Sequence, residues 1–157
     1  MNDAFGYWLA GFMDGESCFT IYRNPGFGNR EHGSWSCMMS LSLRDDDSRL
    51  IRRIHQLTKI GDLLERPSQA RAQPQLEWRV RRKADCFRLI EILDRYPLQS
   101  KKAKDYDLWR QAMMLRKESK RNDQARDERI AQLREELIEG RKYPGEPLVT
   151  HYLRNSL

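Results

Sequence analysis

The sequence has few cysteines, few histidines and no long apolar run, and each shortage argues against a class of protein. Three cysteines in 157 residues, none in a CxxC pair, disfavour a disulfide framework. The three histidines are too widely spaced for a structural zinc site. No stretch approaches the roughly 20 apolar residues of a membrane-spanning helix. The N-terminus is acidic before a short apolar run, so we expect no signal peptide and an intracellular, non-secreted protein.

Basic residues outnumber acidic ones, and the excess is concentrated in one segment. The chain has 29 Lys and Arg against 23 Asp and Glu, a net charge of +6, and 39% of its residues are hydrophobic. That length and hydrophobic content suffice for one domain with a real core. Residues 100–121 hold eight Lys and Arg against three acids. The balance favours a polyanionic partner, with nucleic acid preferred.

The N-terminal half predicts a helix, a hairpin and a second helix. Residues 4–13 are apolar on nearly every side, which predicts a short buried helix capped by Asn2 or Asp3 and ending at Asp14-Gly15. Residues 17–24 and 35–44 alternate between apolar and polar, which is typical of two half-exposed strands joined by the turn formers of 24–29. Residues 45–58 then predict a helix with an acidic first turn, stopped by Gly61.

The same order returns once in shorter form. Two apolar residues, 63 and 64, precede a turn region at Pro67-Ser68, and residues 76–81 alternate as a strand would. A helix follows from Ala84 or Asp85 to Tyr96-Pro97. The predicted fold class is α+β, in the order αββαββα, with C-terminal helices over 100–121 and 122–140. We divide the chain into a domain of residues 1–121 and a charged helical extension of residues 122–157.

The most informative segment is Leu-Ala-Gly-Phe-Met-Asp-Gly-Glu at residues 9–16. Gly11 and Gly15 are four apart, so two such helices can pack closely, and Glu16 then stands where the helices end. The segment resembles the LAGLIDADG motif of homing endonucleases at all eight positions, with Ser17 in place of the usual glycine. Tyr96-Pro97-Leu98-Gln99-Ser100-Lys101-Lys102 is similar to the proline-leucine-lysine segment of that family.

The resemblance implies a fold, an assembly and a reaction. A single motif implies a homodimer whose motif helices pack at Gly11 and Gly15 about a twofold axis. The activity implied is hydrolysis of both strands of a long, pseudo-palindromic DNA target, leaving short 3′ overhangs. The implied cofactor is Mg²⁺, with Mn²⁺ substituting and Ca²⁺ non-productive, bound by Glu16 and the Gly15 carbonyl. Lys102 or Lys101, Asp45 and Arg49 are implied as pocket residues.

The two hairpins are expected to form a four-stranded antiparallel saddle whose polar face lies in the DNA major groove. Its mixture of Arg, Asn, Ser and Glu suits base edges, because Arg pairs with guanine, Asn with adenine and Glu with cytosine. Lys and Arg of residues 100–121 would contact phosphates. The predicted DNA-binding residues are Thr20, Tyr22, Asn24, Ser36, Met38, Ser40, Ser42, Arg44, Arg66, Ser68, Glu77, Arg79 and Arg81.

Two alternatives stay open at this point. The fold could bind DNA or RNA without cutting, as maturases and regulators that resemble this family do. The presence of Glu16 argues against this alternative, because a site that no longer cuts is free to lose its acid. The chain could also be a basic scaffold built around residues 122–140. The extension could clamp DNA, cover the core or mediate assembly, and the sequence does not choose among these roles.

Overall fold

The computed structural model describes residues 1–25, 33–68, 73–117 and 123–142. In chain order the elements are α1 (Asp3–Glu16), β1 (Ser17–Asn24), β2 (Ser34–Arg44), a 3₁₀ turn (Asp45–Asp47), α2 (Ser48–Thr58), β3 (Asp62–Arg66), β4 (Gln75–Val80), α3 (Lys83–Arg95), α4 (Lys102–Lys117) and α5 (Gln124–Glu139). The predicted α+β order is confirmed. Most of the predicted 24–29 turn and the irregular tail from Tyr143 lie outside the described residues.

The motif helix α1 is buried on one face only. The Asn2 side chain accepts a hydrogen bond from the Phe5 N–H at 2.9 Å, which confirms it as the N-cap. The helix continues to Glu16, so its predicted end at Asp14-Gly15 is wrong. Its inner face carries the buried residues Gly6, Leu9, Ala10 and Met13. Trp8 is 42% exposed, so α1 is not buried on every side as the apolar sequence of residues 4–13 predicts.

The four strands form one antiparallel sheet in the order β1-β2-β4-β3. Ser17 pairs with Leu41 and Leu41 with Trp78, so the alternating apolar residues of three strands share one face. That face contributes these buried side chains to the core: Phe19, Ile21, Cys37, Met39, Leu41, Leu76, Trp78 and Val80. The opposite face holds the polar residues of the same strands.

Helices cover the apolar face of the sheet. Helix α2 ends through a backbone conformation that the amino-acid sequence did not predict. Lys59 adopts a left-handed conformation with φ 56° as the C-cap of α2, and its N–H bonds the His55 carbonyl at 2.8 Å. The prediction that Gly61 stops this helix is wrong. Gly61 instead lies in the following turn with φ +77°, where a Cβ would lie 2.6 Å from the Arg79 carbonyl oxygen, so glycine is required there.

The C-terminal helices belong to the same core. Tyr106, Trp109 and Met113 of α4 are buried, and the Trp109 ring lies 5.4 Å from the Phe19 ring of β1. On α5 the residues Ile130, Leu133 and Leu137 are buried, whereas Ile138 is 39% exposed. Across the parts of the chain that the structure describes, no helix combines the length and apolar character that crossing a bilayer demands.

Candidate active site and nucleic-acid interface

Glu16 is an exposed carboxylate at the end of the motif helix. The Ser17 hydroxyl donates to the Met13 carbonyl at 2.6 Å, which closes the last turn and starts β1 directly after Glu16. The last turn of α1 contains no basic residue. An acid at a helix C-terminus opposes the helix dipole, so this placement does not serve the stability of α1. Within the described ranges, Glu16 has no hydrogen bond or ion pair, and its oxygens face solvent.

Asp14 has a structural role that ties α1 to the start of α4. Its oxygens accept hydrogen bonds from the Gln99 N–H at 2.8 Å, the Ser100 N–H at 3.1 Å and the Ser100 hydroxyl at 2.8 Å. The Ser100 hydroxyl oxygen in turn accepts from the Lys102 N–H at 3.1 Å. The carboxylate of Asp14 is therefore fully engaged, while the same bonds bring the Lys101-Lys102 segment to the Glu16 end of α1.

The remaining predicted pocket residues are distributed between two places. Lys102 is half-buried and Lys101 exposed at the start of α4, close along the chain to the Asp14 contact. Asp45 and Arg49 are exposed where β2 passes into α2, and the Asp45 N–H bonds the Pro74 carbonyl at 2.9 Å. No hydrogen bond or ion pair among the described residues joins Asp45 or Arg49 to Glu16. The structure thus brings Lys101 and Lys102 towards the motif, and does not connect Asp45 or Arg49 to it.

One chain offers a divalent ion very few ligands. The described residues contain no group of three or more His, Cys, Asp or Glu side chains able to hold a metal. The last four carbonyls of an α-helix lack helical partners, so the Gly15 carbonyl is free to join the Glu16 carboxylate. Mg²⁺ accepts such a sparse set because it retains waters and binds phosphate oxygens. Glu16 and the Gly15 carbonyl therefore fit a divalent ion only where other molecules supply the remaining ligands.

Cys37 and Cys86 are buried in the core, where the reactive thiolate form is disfavoured. Burial raises the pKa of Cys37 to about 11 and that of Cys86 to about 12. The thiolate is the reactive form of cysteine, so both side chains serve packing in the core.

The outer face of α1 is flat and apolar. A Cβ built on Gly11 or on Gly15 would meet nothing within 4 Å. The Trp8 ring stacks on the Phe12 ring at 5.4 Å with an interplanar angle of 8°, and Tyr7 is 63% exposed. Two glycines beside exposed aromatic rings leave room for a second helix to approach closely. The role of Gly11 and Gly15 at a helix interface stays a prediction.

The polar face of the sheet brings together the predicted DNA-contacting residues. Cross-strand pairs join Thr20 with Met38, Tyr22 with Ser36, and Ser40 with Arg79. Asn24 donates to the Ser36 hydroxyl at 2.7 Å, so part of the face is already hydrogen-bonded. The predicted residues on this face are Thr20, Tyr22, Asn24, Ser36, Met38, Ser40, Ser42, Arg44, Arg66, Glu77 and Arg79. Ser68 and Arg81 are exposed just beyond the ends of β3 and β4.

Glu77 differs from the other residues of this face because its side chain is only 1% exposed. Both of its oxygens accept hydrogen bonds from arginines, one from Arg79 Nε at 2.8 Å and the other from Arg66 Nε. Its carboxylate is therefore not available to accept from a cytosine amino group. Direct base contact by Glu77, as expected from its residue type, does not fit this arrangement.

Five further residues lie on the polar face but are not among the predicted DNA-binding residues. Their side chains lie on the same side of the sheet as the predicted ones: Cys18, Ser34, Asp62, Leu64 and Gln75. Extending the alternation by one step would have found Ser34 and Gln75. Leu64 is paired with Glu77 and is 41% exposed. Asp62 forms ion pairs with Arg82 and, at 3.7 Å, with Arg81.

Some basic side chains around the sheet bond other groups of the protein, whereas others face solvent. Arg110 of α4 donates to both oxygens of Asp94, with Nη2–Oδ2 at 2.8 Å. Lys83 donates to the Arg116 carbonyl at 2.9 Å. Of the basic residues in 100–121 that were predicted to contact phosphates, Arg110 is thus paired with Asp94, whereas Lys101, Lys102 and Lys104 have no side-chain partner among the described residues.

Comparison with protein families settles the classification. Residues 9–113 match the family model described as LAGLIDADG endonuclease, a span that runs from the motif helix through most of α4. The chain belongs to the LAGLIDADG endonuclease family. It is 26% identical over 140 residues to a probable intron-encoded endonuclease, Cox1-I1b, of Schizosaccharomyces pombe. That alignment covers 89% of this chain and 35% of the relative, so the chain spans about a third of that protein's length.

Solved LAGLIDADG structures share the fold. The meganuclease I-AabMI, in a structure bound to uncleaved DNA, matches with a TM-score of 0.69 at 24% identity, over 85% of this chain and 43% of that one. I-SmaMI, bound to an uncleaved DNA target in the presence of calcium ions, gives a TM-score of 0.76 at 17% identity, over 90% and 46%. The homing endonuclease I-TnaI gives 0.76 at 15% identity, with 96% of each chain covered. The predicted LAGLIDADG fold with its four-stranded sheet is confirmed.

Proposed function

We propose that the protein is a site-specific endonuclease that hydrolyses both strands of a long, pseudo-palindromic DNA target with Mg²⁺. The observation that carries this proposal is the unpaired Glu16 carboxylate at the end of the motif helix, where the polar face of the sheet begins. Family membership supports a nuclease. An exposed acid that opposes its own helix dipole is explained by a cation-dependent reaction at this position.

The sheet supplies recognition in this proposal. Its polar face presents hydroxyls, an amide and arginines on four adjacent strands, the donors and acceptors that distinguish base edges in the major groove. Met38 and Leu64 add apolar contacts suited to the thymine methyl group. Unpaired lysines at the start of α4 would contact phosphates and position the duplex without reading its sequence. The DNA-bound state of two relatives with this fold supports the assignment.

The catalytic roles fall to few residues. Glu16 and the Gly15 carbonyl would hold the metal. When bound, Mg²⁺ would supply an activated water and stabilise charge on the scissile phosphate and leaving oxygen. Lys102 or Lys101 would donate hydrogen bonds to the phosphate as negative charge develops, and the Asp14 contacts fix the backbone that carries both lysines. Asp45 and Arg49 are proposed as outer residues of the pocket.

Cutting two strands requires two such sites. The outer face of α1 is where a second chain, carrying the second site, could pack. We propose that a second copy of the chain packs on this face through Gly11 and Gly15, so that each copy contributes one Glu16. The resulting twofold axis would make the target pseudo-palindromic. I-TnaI, a homing endonuclease with the same fold, has a chain of similar length, which this chain covers to 96%.

The test is cleavage of a library of partly randomised duplex DNA that includes the DNA flanking the gene. Wild-type protein with Mg²⁺ should cut discrete near-palindromic sequences, and EDTA or Ca²⁺ should stop cutting while retaining binding. Glu16→Gln should bind the same sequences and cut at least about a hundredfold more slowly, because it loses the ligand charge. Glu91→Gln, which changes an exposed carboxylate on α3, is the matched control and should cut like wild type.

Two results would overturn the proposal. Wild-type cutting rates in Glu16→Gln would remove the metal site from Glu16. Sequence-specific retention of DNA or RNA without any cutting by wild type in Mg²⁺ or Mn²⁺ would replace the nuclease with the non-cleaving binding protein, a maturase or regulator on the same fold.

A further inference from the structure

A buried acid lies in the middle of the face assigned to DNA. Glu77 occupies the central strand β4, where the register pairs it with Ser42 of β2 on one side and Leu64 of β3 on the other. Its side chain is 1% exposed although its neighbours on the face are open to solvent. A carboxylate removed from water costs free energy unless charge and hydrogen bonds compensate it. Its partners therefore indicate what the residue does.

The two partners are arginines that remain accessible. Arg79 Nε donates to Glu77 Oε1 at 2.8 Å, and Arg66 Nε donates to Oε2. Burial opposes ionisation of this carboxyl, but the hydrogen bonds and charges of Arg79 and Arg66 outweigh it and hold the pKa of Glu77 below its usual value. The Arg66 side chain is 54% exposed and that of Arg79 22% exposed. One buried acid thus fixes two exposed guanidinium groups.

The Nη groups of Arg66 and Arg79, which do not bond Glu77, are complementary to guanine. Both arginines bond Glu77 through Nε alone, and within the described residues their terminal Nη groups have no hydrogen-bond partner. A guanidinium held at Nε keeps its end-on fork of two Nη donors. Such a fork is complementary to the O6 and N7 acceptors of guanine in the major groove. An arginine that is already oriented loses less conformational freedom when it binds.

We propose that Glu77 is a positioning residue for specificity, which holds Arg66 and Arg79 so that each reads one guanine in the DNA target. The inference rests on the proposed DNA function and deepens it. Arg66 and Arg79 touch the bases, and Glu77 acts through them without contacting DNA. In a dimer the pair occurs twice, so each half-site of the target contains two guanines read by this cluster.

The test is selection of bound sequences from randomised duplex DNA, carried out in Ca²⁺ with wild type and variants. Wild type should enrich two guanines per half-site. Arg66→Ala should lose the preference at one of them and Arg79→Ala at the other, each by about tenfold. Glu77→Gln should lose both together, because an amide presents only one acceptor to two arginines. Total DNA affinity of Glu77→Gln should be equal or higher with a steeper salt dependence, since a negative charge is removed beside the phosphates.

Matched controls separate positioning from folding. Glu65→Gln makes the same substitution on β3 at an exposed residue whose side chain lies on the opposite side of the sheet from Glu77 and pairs with Arg52. This variant should leave the profile of selected DNA sequences unchanged. Arg79→Lys keeps a charge beside Glu77 without the planar fork and should lose its guanine while retaining affinity. Circular dichroism and a melting curve establish that each variant is folded before selection.

The outcomes distinguish this inference from the proposed function. Retention of both guanine preferences by folded Glu77→Gln, beside a specific wild-type profile, would overturn the positioning role and leave the DNA function standing. Unchanged guanine preference in both Arg66→Ala and Arg79→Ala would overturn the inference that these arginines recognise guanine. A wild-type protein that enriches no sequence at all would overturn the proposed function, and the inference with it.

Discussion

Asp14 illustrates at the scale of one residue how a motif acid can serve structure rather than catalysis. Its carboxylate accepts from the Gln99 and Ser100 N–H groups and from the Ser100 hydroxyl, so it ties the chain just before α4 to the motif helix. The neighbouring motif acid, Glu16, has no such partner among the described residues. Two carboxylates two residues apart are therefore separated in role by their hydrogen bonds.

Removing this carboxylate should weaken both the fold and the activity. We expect Asp14→Ala to lower the free energy of unfolding by about 1–3 kcal/mol, the usual loss when backbone N–H groups lose a charged acceptor, and to reduce cleavage because Lys101 and Lys102 lose their anchor. Urea unfolding and a single-turnover cleavage assay measure the two effects. Asp107→Ala, at an exposed acid within α4 that accepts from Gln111, is the control and should change neither by as much.

Asp94 makes the stability sensitive to acid. Burial raises the pKa of its carboxyl, but hydrogen bonds from Arg110 and Tyr106 and the charge of Arg110 outweigh this and hold the pKa below its usual value. A lowered native-state pKa stabilises the fold above the ordinary carboxyl pKa, and that contribution is lost as the pH falls through the lowered value. Stability should therefore decline below about pH 4.

Two substitutions test that origin of the acid sensitivity. Asp94→Asn and Arg110→Gln should each make the free energy of unfolding fall less steeply below about pH 4, as urea titrations at a series of pH values will measure. The double variant should add little to either single one, because both remove the same pair. Full additivity would show that the two residues act independently.

At the scale of elements, α1 has one face that supports the fold and another that is open. A Cβ on Gly6 would lie 2.4 Å from the Tyr96 ring, whereas one on Gly11 would touch nothing within 4 Å. Side chains added at these two positions of the same helix should therefore act on different equilibria.

We expect Gly11→Leu to dissociate the proposed dimer and abolish double-strand cutting while the monomer keeps its fold. The isolated helix should even gain up to about 1 kcal/mol, since glycine is a poor helix former. Gly6→Ala should instead lower the melting temperature. Sedimentation and circular dichroism distinguish the cases, and an intact, active dimer of Gly11→Leu would contradict the proposed helix interface.

Most elements could be predicted from the sequence because their signals are local. The alternation of β1 and β2 places Thr20 and Met38 on one face, and the structure confirms it. The end of α2 at Lys59 could not be predicted, because a left-handed lysine has no compositional signature. Ion pairs between residues far apart in the sequence could not be predicted either. Glu77 has the residue type of a base reader, and only the diagonal neighbour Arg66 on another strand reveals that its carboxylate is already occupied.

At the scale of the whole molecule, the C-terminal helix is continuous with the core. Leu133 is fully buried in the cluster that contains the sheet residues Phe19 and Ile21. Arg141, directly after α5, donates to the Phe19 carbonyl and pairs with Asp105 at 3.2 Å. Helix α5 thus covers the first strand of the sheet that is assigned to recognition.

Loss of packing on α5 should therefore destabilise the whole chain. We expect Leu133→Ala to lower the free energy of unfolding by about 2–5 kcal/mol, the range for a buried leucine, in a single transition detected by both tryptophan fluorescence and circular dichroism. Ile138→Ala on the same helix, at a side chain that is 39% exposed, should cost clearly less. Separate transitions for α5 and the sheet would show that they unfold independently.

The strict alternation of the sheet has a consequence for how such a protein can change over time. Residues on the polar face and residues that fill the core occupy alternate positions of the same strands, so exchange at Ser40 or Thr20 leaves Met39 and Phe19 undisturbed. Under the proposed DNA function, target preference can change one base pair at a time without a penalty in folding. Glu77 is the exception, because its neighbours must change with it. That cluster is where a lineage of these proteins would be slowest to adopt a new target.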